Sequence, residues 1–239
     1  MKKLLAVFLV LSLLLAGCGA EKTEAEVAGK LEPTNAPTEN AEVATEPVLE
    51  ETPVSMGQLE GGTYTNAYAG FGCELGSDWL FYGAEDLQEL PENVQELISD
   101  TELGDAMENI SQFADMMAEN VNEMVTVNVL YQKQNMQERV AFAMLSDEEI
   151  LDATLEQKDM MIESYAQAGM IVESVEKCTV TFLGEDRMAL RTVGTMQDVP
   201  FVIVQVFDYH LGQYSVTLTI NSYIEDKSQQ VLDLFYPVG

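Results

Sequence analysis

The stretch 171-IVESVEKCTVTFLGEDRMALRTVGTMQDVPFVIVQVFDYHLGQYSVTLTIN-221 decides the fold. It holds four strand-like runs, Ile171–Leu183, Arg187–Thr195, Val199–Tyr209 and Gln213–Asn221. Between them lie only Gly184-Glu185-Asp186, Met196-Gln197-Asp198 and His210-Leu211-Gly212. Links this short turn a chain back on itself but leave no room for a helical crossover, so an antiparallel meander is expected.

Working upstream, Ser146-Asp147-Glu148-Glu149 is a capping box, in which the Ser hydroxyl accepts from the third helical amide and Glu149 reaches back. The helix it opens carries Ile150, Leu151, Thr154, Leu155, Met161, Ile162 and Tyr165 on one face, and Gly169 stops it. A strand is expected over Thr126–Gln132. A helix is expected over Asp105–Val121, from Ala106, Ile110, Phe113, Ala114, Met117 and Val121 at helical spacing. Glu85–Ile98 reads as helical, with Pro91 able to open a second short helix. Tyr64–Leu75 reads as two short strands around Ala69-Gly70, and Ile224–Phe235 as a closing helix. Strands and helices that segregate in this way indicate an α+β domain, an antiparallel sheet covered by helices, spanning residues 63–239.

The N-terminus gives the location. Lys2, Lys3 and the apolar run Leu4–Leu14 have the layout of a secretory signal over residues 1–17. Leu15-Ala16-Gly17-Cys18 resembles the lipobox of bacterial lipoproteins, which implies lipidation of Cys18 and cleavage just before it. The apolar run is shorter than the roughly 20 residues of a membrane-spanning helix, whereas two or three acyl chains anchor firmly. Residues 18–62 are rich in Glu, Ala, Thr and Pro, with Pro33, Pro37, Pro47 and Pro53 and no aromatic residue. Such a segment buries too little apolar surface to order, so it reads as a disordered acidic tether with a reach of up to about 145 Å. The expected location is the extracytoplasmic face of a cell membrane.

The 41 acidic and 11 basic residues give a net charge of −30, which becomes −32 once Lys2 and Lys3 leave with the signal. That charge repels nucleic acid and anionic headgroups. Cys73 and Cys178 fall at alternating positions of expected strands and read as buried core thiols, although a single disulfide is permitted outside the cytoplasm.

Tyr64-Thr65-Asn66, Gly70-Phe71-Gly72-Cys73-Glu74-Leu75 and Gly76-Ser77-Asp78-Trp79 together resemble the opening hairpin of the PsbP-like superfamily, with Gly76 where that pattern usually has proline. The order of the elements that follow is similar too. The resemblance implies an α/β/α sandwich in a superfamily that is functionally mixed and largely non-enzymatic, with many bacterial lipoproteins among its members. It implies a binding or assembly role and identifies no site.

No catalytic signature stands out. His210 is the only histidine and has no evident partner, and there is no G-x-S-x-G elbow, phosphate-cradling loop or H-E-x-x-H. Asp100-Thr101-Glu102-Leu103-Gly104-Asp105 fails the calcium-loop template, with glycine one position early and Ser111 where the final Glu belongs. Neither a metal nor a cofactor is expected. Met116-Met117 and Met160-Met161 read as core residues of helices, and Tyr64 and Tyr68 share a strand face. Trp79, Phe81 and Tyr82 form the candidate recognition surface. The expectation is a non-catalytic, membrane-anchored lipoprotein that binds a protein partner in envelope assembly. The alternative is a small-ligand or cation-binding accessory to transport.

Overall fold

Two tight turns build the meander. In the computed structural model, Leu183-Gly184 has φ of +56° and +82°, and Gln197-Asp198 has +50° and +66°. Two successive residues with positive φ twist a hairpin in the same sense as its strands. The flanking pairs are Phe182 with Glu185 and Met196 with Val199. The structure describes residues 54–82, 112–209 and 211–238. Cys18 and the signal, most of the tether, the helix expected over Glu85–Ile98, the acidic run Asp100–Asp105 and His210 lie outside the described residues.

In chain order the elements are β1 (Gln58–Glu60), β2 (Thr63–Asn66), β3 (Phe71–Glu74), β4 (Leu80–Phe81), β5 (Gln112–Asn120), β6 (Val125–Lys133), α1 (Met136–Met144), α2 (Asp147–Glu156), α3 (Lys158–Gln167), β7 (Met170–Phe182), β8 (Glu185–Met196), β9 (Val199–Asp208), β10 (Tyr214–Tyr223), α4 (Ser228–Leu232) and β11 (Phe235–Pro237). The large sheet has seven strands in the order β4-β5-β6-β10-β9-β8-β7, and the small sheet has four in the order β1-β2-β3-β11. Every neighbouring pair is antiparallel. β1 and the residues before it belong to this architecture, so the domain's contacts begin upstream of residue 63.

The fold is α+β, and the large sheet is covered on both faces. On one face Val127, Val129, Val204, Val206, Val216, Leu218 and Ile220 pack against Tyr64, Phe71, Cys73 and Phe235 of the small sheet. On the other, Leu190, Phe201, Ile203 and Tyr223 pack against Leu151 of α2 and Met161 and Tyr165 of α3. Each fully buried apolar side chain contributes roughly 1.5–3 kcal/mol. Gly194 marks one tight approach: a Cβ there would lie 2.1 Å from the Ile171 carbonyl oxygen, beside the irregular pairing at Val172/Ser174.

Three expectations are corrected. Within the helix expected over Asp105–Val121, residues 112–120 form strand β5; Ala106 and Ile110 lie outside the described residues. Met116, Met117, Ala118, Glu119 and Asn120 are all buried, so both faces of the strand are covered and no alternation survives to mark it. A bulge between Ala114 and Met116 shifts the phase further. Met116 and Met117 are therefore core residues of a strand.

The helix expected from Ser146 to Gly169 is two helices, divided at Gln157. Thr154 Oγ1 donates to the Ile150 carbonyl at 2.9 Å, and the Gln157 amide closes onto the Thr154 carbonyl at 3.0 Å, which tightens the last turn. The capping box forms as expected, and Gly169 has φ of +81°. Met161 is buried while Met160 is half exposed.

The closing helix expected over Ile224–Phe235 shortens to α4, and Phe235 enters β11 opposite Cys73. Phe235 meets Phe71 edge-on with centroids 5.6 Å apart, a packing that a continued helix would forgo. Cys73 and Cys178 are both free, and burial pushes the Cys73 thiol up to about 12.

β7 is the outer strand of the large sheet, and α4 shields part of it. Gln229 accepts from the Thr181 amide at 3.2 Å and donates to its carbonyl at 2.8 Å, mimicking a further strand. Gln229→Leu unblocks that edge, and concentration-dependent self-association by analytical ultracentrifugation is the expected result.

Candidate functional site

Strand β10 reads Tyr214-Ser215-Val216-Thr217-Leu218-Thr219-Ile220-Asn221. Strict alternation sends Tyr214, Val216, Leu218 and Ile220 to the small sheet and the four polar residues to the helix side. Such a polar face ordinarily meets water. Here every residue of β10 is buried, Thr219 completely. The neighbouring strands continue the pattern with Asn128 and Gln132 of β6, Gln134 just beyond it, and Gln205 of β9. The result is an uncharged polar floor inside the domain.

Parts of this floor satisfy one another. Gln205 Nε2 donates to Thr219 Oγ1 at 3.4 Å, Asn221 Nδ2 to Thr126 Oγ1 at 2.8 Å, and Ser215 Oγ to the Gln132 carbonyl at 3.4 Å. Gln134 Nε2 donates to the Tyr209 carbonyl at 3.2 Å. Two buried amide oxygens, Gln134 Oε1 and Asn128 Oδ1, have no hydrogen-bond partner among the described residues. A buried acceptor left unpaired costs about 1–3 kcal/mol, so such atoms call for an explanation.

Above Gln134 the floor opens into a cavity of about 260 Å³. Its walls come from α1 (Glu138, Phe142), α2 (Ile150, Thr154), Met161 of α3, and Leu190, Phe207 and Tyr209 of the sheet. The Tyr209 ring lies 4.8 Å from Phe142 and stacks on Phe207 at 5.4 Å. α1 owes its place to a second capping box: Asn135 accepts from the Gln137 and Glu138 amides, and Glu138 Oε2 accepts from the Asn135 amide at 2.7 Å. Among the described residues, Glu138 is the one acid in the lining, and no Lys, Arg or His lines the cavity.

A second polar cluster lies between the two sheets. Asp115, at the β5 bulge, accepts from the Gly57 amide at 2.9 and 3.0 Å, from the Tyr64 hydroxyl, and from Asn66 Nδ2 at 2.7 Å. Asn66 Nδ2 also lies 2.6 Å from the Tyr131 hydroxyl, which donates to the Ser55 carbonyl at 3.1 Å. Burial raises the Asp115 pKa above the usual carboxylate value, partly offset by these hydrogen bonds. Burial and the Asp115 charge raise Tyr64 and Tyr131 as well. Both carboxylate oxygens are occupied, so the cluster works as a clamp joining residues 55–57, the small sheet and the large sheet.

Trp79, Phe81 and Tyr82 do not line the cavity. All three are half-buried, and Trp79 and Phe81 pack against the core between the sheets, leaving Leu80 as the exposed residue of β4. Tyr64 and Tyr68 are both buried. Tyr64 joins the Asp115 clamp, while the Tyr68 hydroxyl donates to the Leu211 and Tyr214 carbonyls at 3.0 Å each. Sequence reading missed the cavity residues. The available signal was the polar alternation of β10, Ser215, Thr217, Thr219 and Asn221, of which Ser215 and Thr217 line the cavity.

No protein-family model matches the chain, and no curated protein matches it. Among solved structures it is similar to the solution structure of cyanobacterial PsbP (CyanoP) from Synechocystis sp. PCC 6803, with a TM-score of 0.41 and 10% identity over 77% of this chain and 94% of that chain. A likeness at that level carries no argument about the site, and the α+β fold stands on the strand order and registers above.

Proposed function

We propose that this chain is a non-catalytic lipoprotein, held at the extracytoplasmic face of the cell membrane by acyl chains on Cys18, whose domain binds a small ligand in the cavity beneath α1 and α2. The observation that carries the ligand reading is the cavity itself, about 260 Å³, in which apolar walls face a sheet surface carrying Gln134, Gln205, Ser215 and Thr217. A concave site with apolar walls and a few convergent polar groups is the usual form of a small-molecule site. The anchor rests on the lipobox resemblance of Leu15-Ala16-Gly17-Cys18. The non-catalytic reading is supported by the lining: among the described residues, no His or Lys stands beside Ser215 and Thr217 in the cavity to activate a hydroxyl. The net charge of −30 makes nucleic acid a poor partner.

Thermal unfolding of the full chain against a panel of small neutral metabolites tests this reading. A ligand at about a hundred times its Kd adds roughly 2.7 kcal/mol, which for a domain of this size raises Tm by about 5–10 °C. A flat response across the panel sinks the ligand reading.

A protein-partner role has its own support in α1. Met136, Val140 and Met144 are exposed and spaced four residues apart, with Leu145 exposed beside them. A Met136→Glu/Met144→Glu double variant is expected to abolish partner capture from envelope extract while leaving ligand-induced thermal shifts intact.

A further inference from the structure

We propose, resting on the ligand-binding reading above, that α1 is a hinged lid, the unit Asn135–Leu145 swinging as one capped helix to let a ligand reach the cavity floor. As the helices stand, that floor is covered: Gln134, Gln205, Ser215 and Thr217 border the cavity yet are each only 2–5% exposed. A wall must therefore move before a ligand can touch them. α2 is held by buried Ile150 and Leu151, and by Glu148 and Asp152 paired with Lys177 of β7. α3 is held by buried Met161 and Tyr165. α1 buries no residue, and among the described elements none packs broadly against it.

The ends of α1 keep their hydrogen bonds within the helix. Asn135 and Glu138 each accept from the other's backbone amide, and the Leu145 amide donates to the Ala141 carbonyl at 3.1 Å. These bonds travel with α1 when it moves. The flanks stay fixed, because the Gln134 amide donates to the Gln213 carbonyl at 2.9 Å and buried Ile150 anchors the start of α2. Between fixed and moving parts stand Asn135 (φ −74°, ψ 168°) and Leu145 (φ −103°, ψ 147°). Both lie in the broad extended region, where backbone rotation at the end of an element costs little. Glu138, Phe142 and Leu145 follow the i, i+4, i+7 spacing of one helix face and turn it to the cavity. Phe142 supplies the catch, its ring 4.8 Å from that of Tyr209. Opening breaks that ring contact and leaves the sheet and both caps intact.

The test places a thiol on the floor with Ser215→Cys in the full chain and follows N-ethylmaleimide labelling by peptide mass. Native Cys73, wholly buried between the two sheets, lies on the other face of the large sheet and reports global unfolding in the same sample. The introduced thiol is expected to react at least about 100-fold faster than Cys73, since local openings need far less free energy than global ones. Adding Phe142→Ala is expected to raise the floor rate about fivefold, the scale of one lost aromatic pair, while the Cys73 rate changes less than about twofold. Equal rates for the two thiols overturn the lid, because the floor then opens only with the whole domain. Labelling as fast as free cysteine overturns it as well, because the floor then needs no gate. A floor rate that Phe142→Ala leaves unchanged, or raises equally with that of Cys73, removes α1 as the moving part. Where Ser215→Cys fails to fold, Thr217→Cys supplies the floor thiol. None of these measurements uses a ligand, so a negative result overturns the lid and leaves the thermal-shift test of the ligand reading standing.

Discussion

Replacing Asp115 by alanine lowers the unfolding free energy by about 3 kcal/mol, because three donors lose their acceptor at about 1 kcal/mol or more each. Those donors are the Gly57 amide, the Tyr64 hydroxyl and the Asn66 amide. For a domain of this size the expected fall in Tm is roughly 6–12 °C. Asp115→Asn keeps the shape and one carbonyl acceptor, so its loss is expected to be about half as large. The pH dependence separates the clamp from simple packing. Burial holds the folded pKa of Asp115 above its ordinary 3.8, so the folded state binds this proton more tightly than the unfolded chain does. The group's contribution is therefore full below pH 3.8 and declines as pH rises through the folded value, opposite to the usual salt-bridged aspartate. Wild-type stability measured against Asp115→Asn by urea denaturation should fall as pH rises across that window. A gap that stays constant, or grows with pH, contradicts the buried-carboxylate account.

Alkaline pH is expected to unfold the domain cooperatively. Tyr64, Tyr131 and Tyr223 are buried, and burial holds each well above the ordinary tyrosine value of 10.0. Asp115 adds its negative charge against ionisation of Tyr64 and Tyr131. In the unfolded chain all three ionise near pH 10, so their contribution is complete below that pH and is lost as pH rises. At about 1.36 kcal/mol per pH unit for each proton, three tyrosines give a slope of about 4 kcal/mol per unit. Typical domain stabilities of about 5–15 kcal/mol would be exhausted between about pH 11 and 14. Tyrosinate absorbance and circular dichroism should change together, and Tyr223→Phe should flatten the slope by about a third. Ionisation of these tyrosines with the dichroism unchanged would show that they are reached by water in the folded state.

Legibility in the sequence followed the range of the interactions. The Ser146 capping box was readable because its partners sit three residues apart and bond only to each other and their own helix. The meander was readable because its turns are short and local. α1 carries the same kind of cap at Asn135 and Glu138 and spaces Met136, Val140 and Met144 four residues apart, yet it buries no residue, and sequence reading passed over it. β5 misled in the other direction: covered on both faces, its apolar residues fell by chance on helical spacing.

The chain's own sequence determined the α+β class, the pairing direction of the meander, the capped start of α2, and the residues that resemble a lipobox, since each depends on groups near one another along the chain. Only the tertiary structure decided that Ser215, Thr217, Thr219 and Asn221 are buried, that Asp115 reaches Gly57 across two sheets, and that Gln134 borders a cavity with an acceptor to spare. Alternation along a strand specifies which side chains share a face. Whether that face meets water, a helix or a ligand depends on what packs over it from elsewhere in the chain.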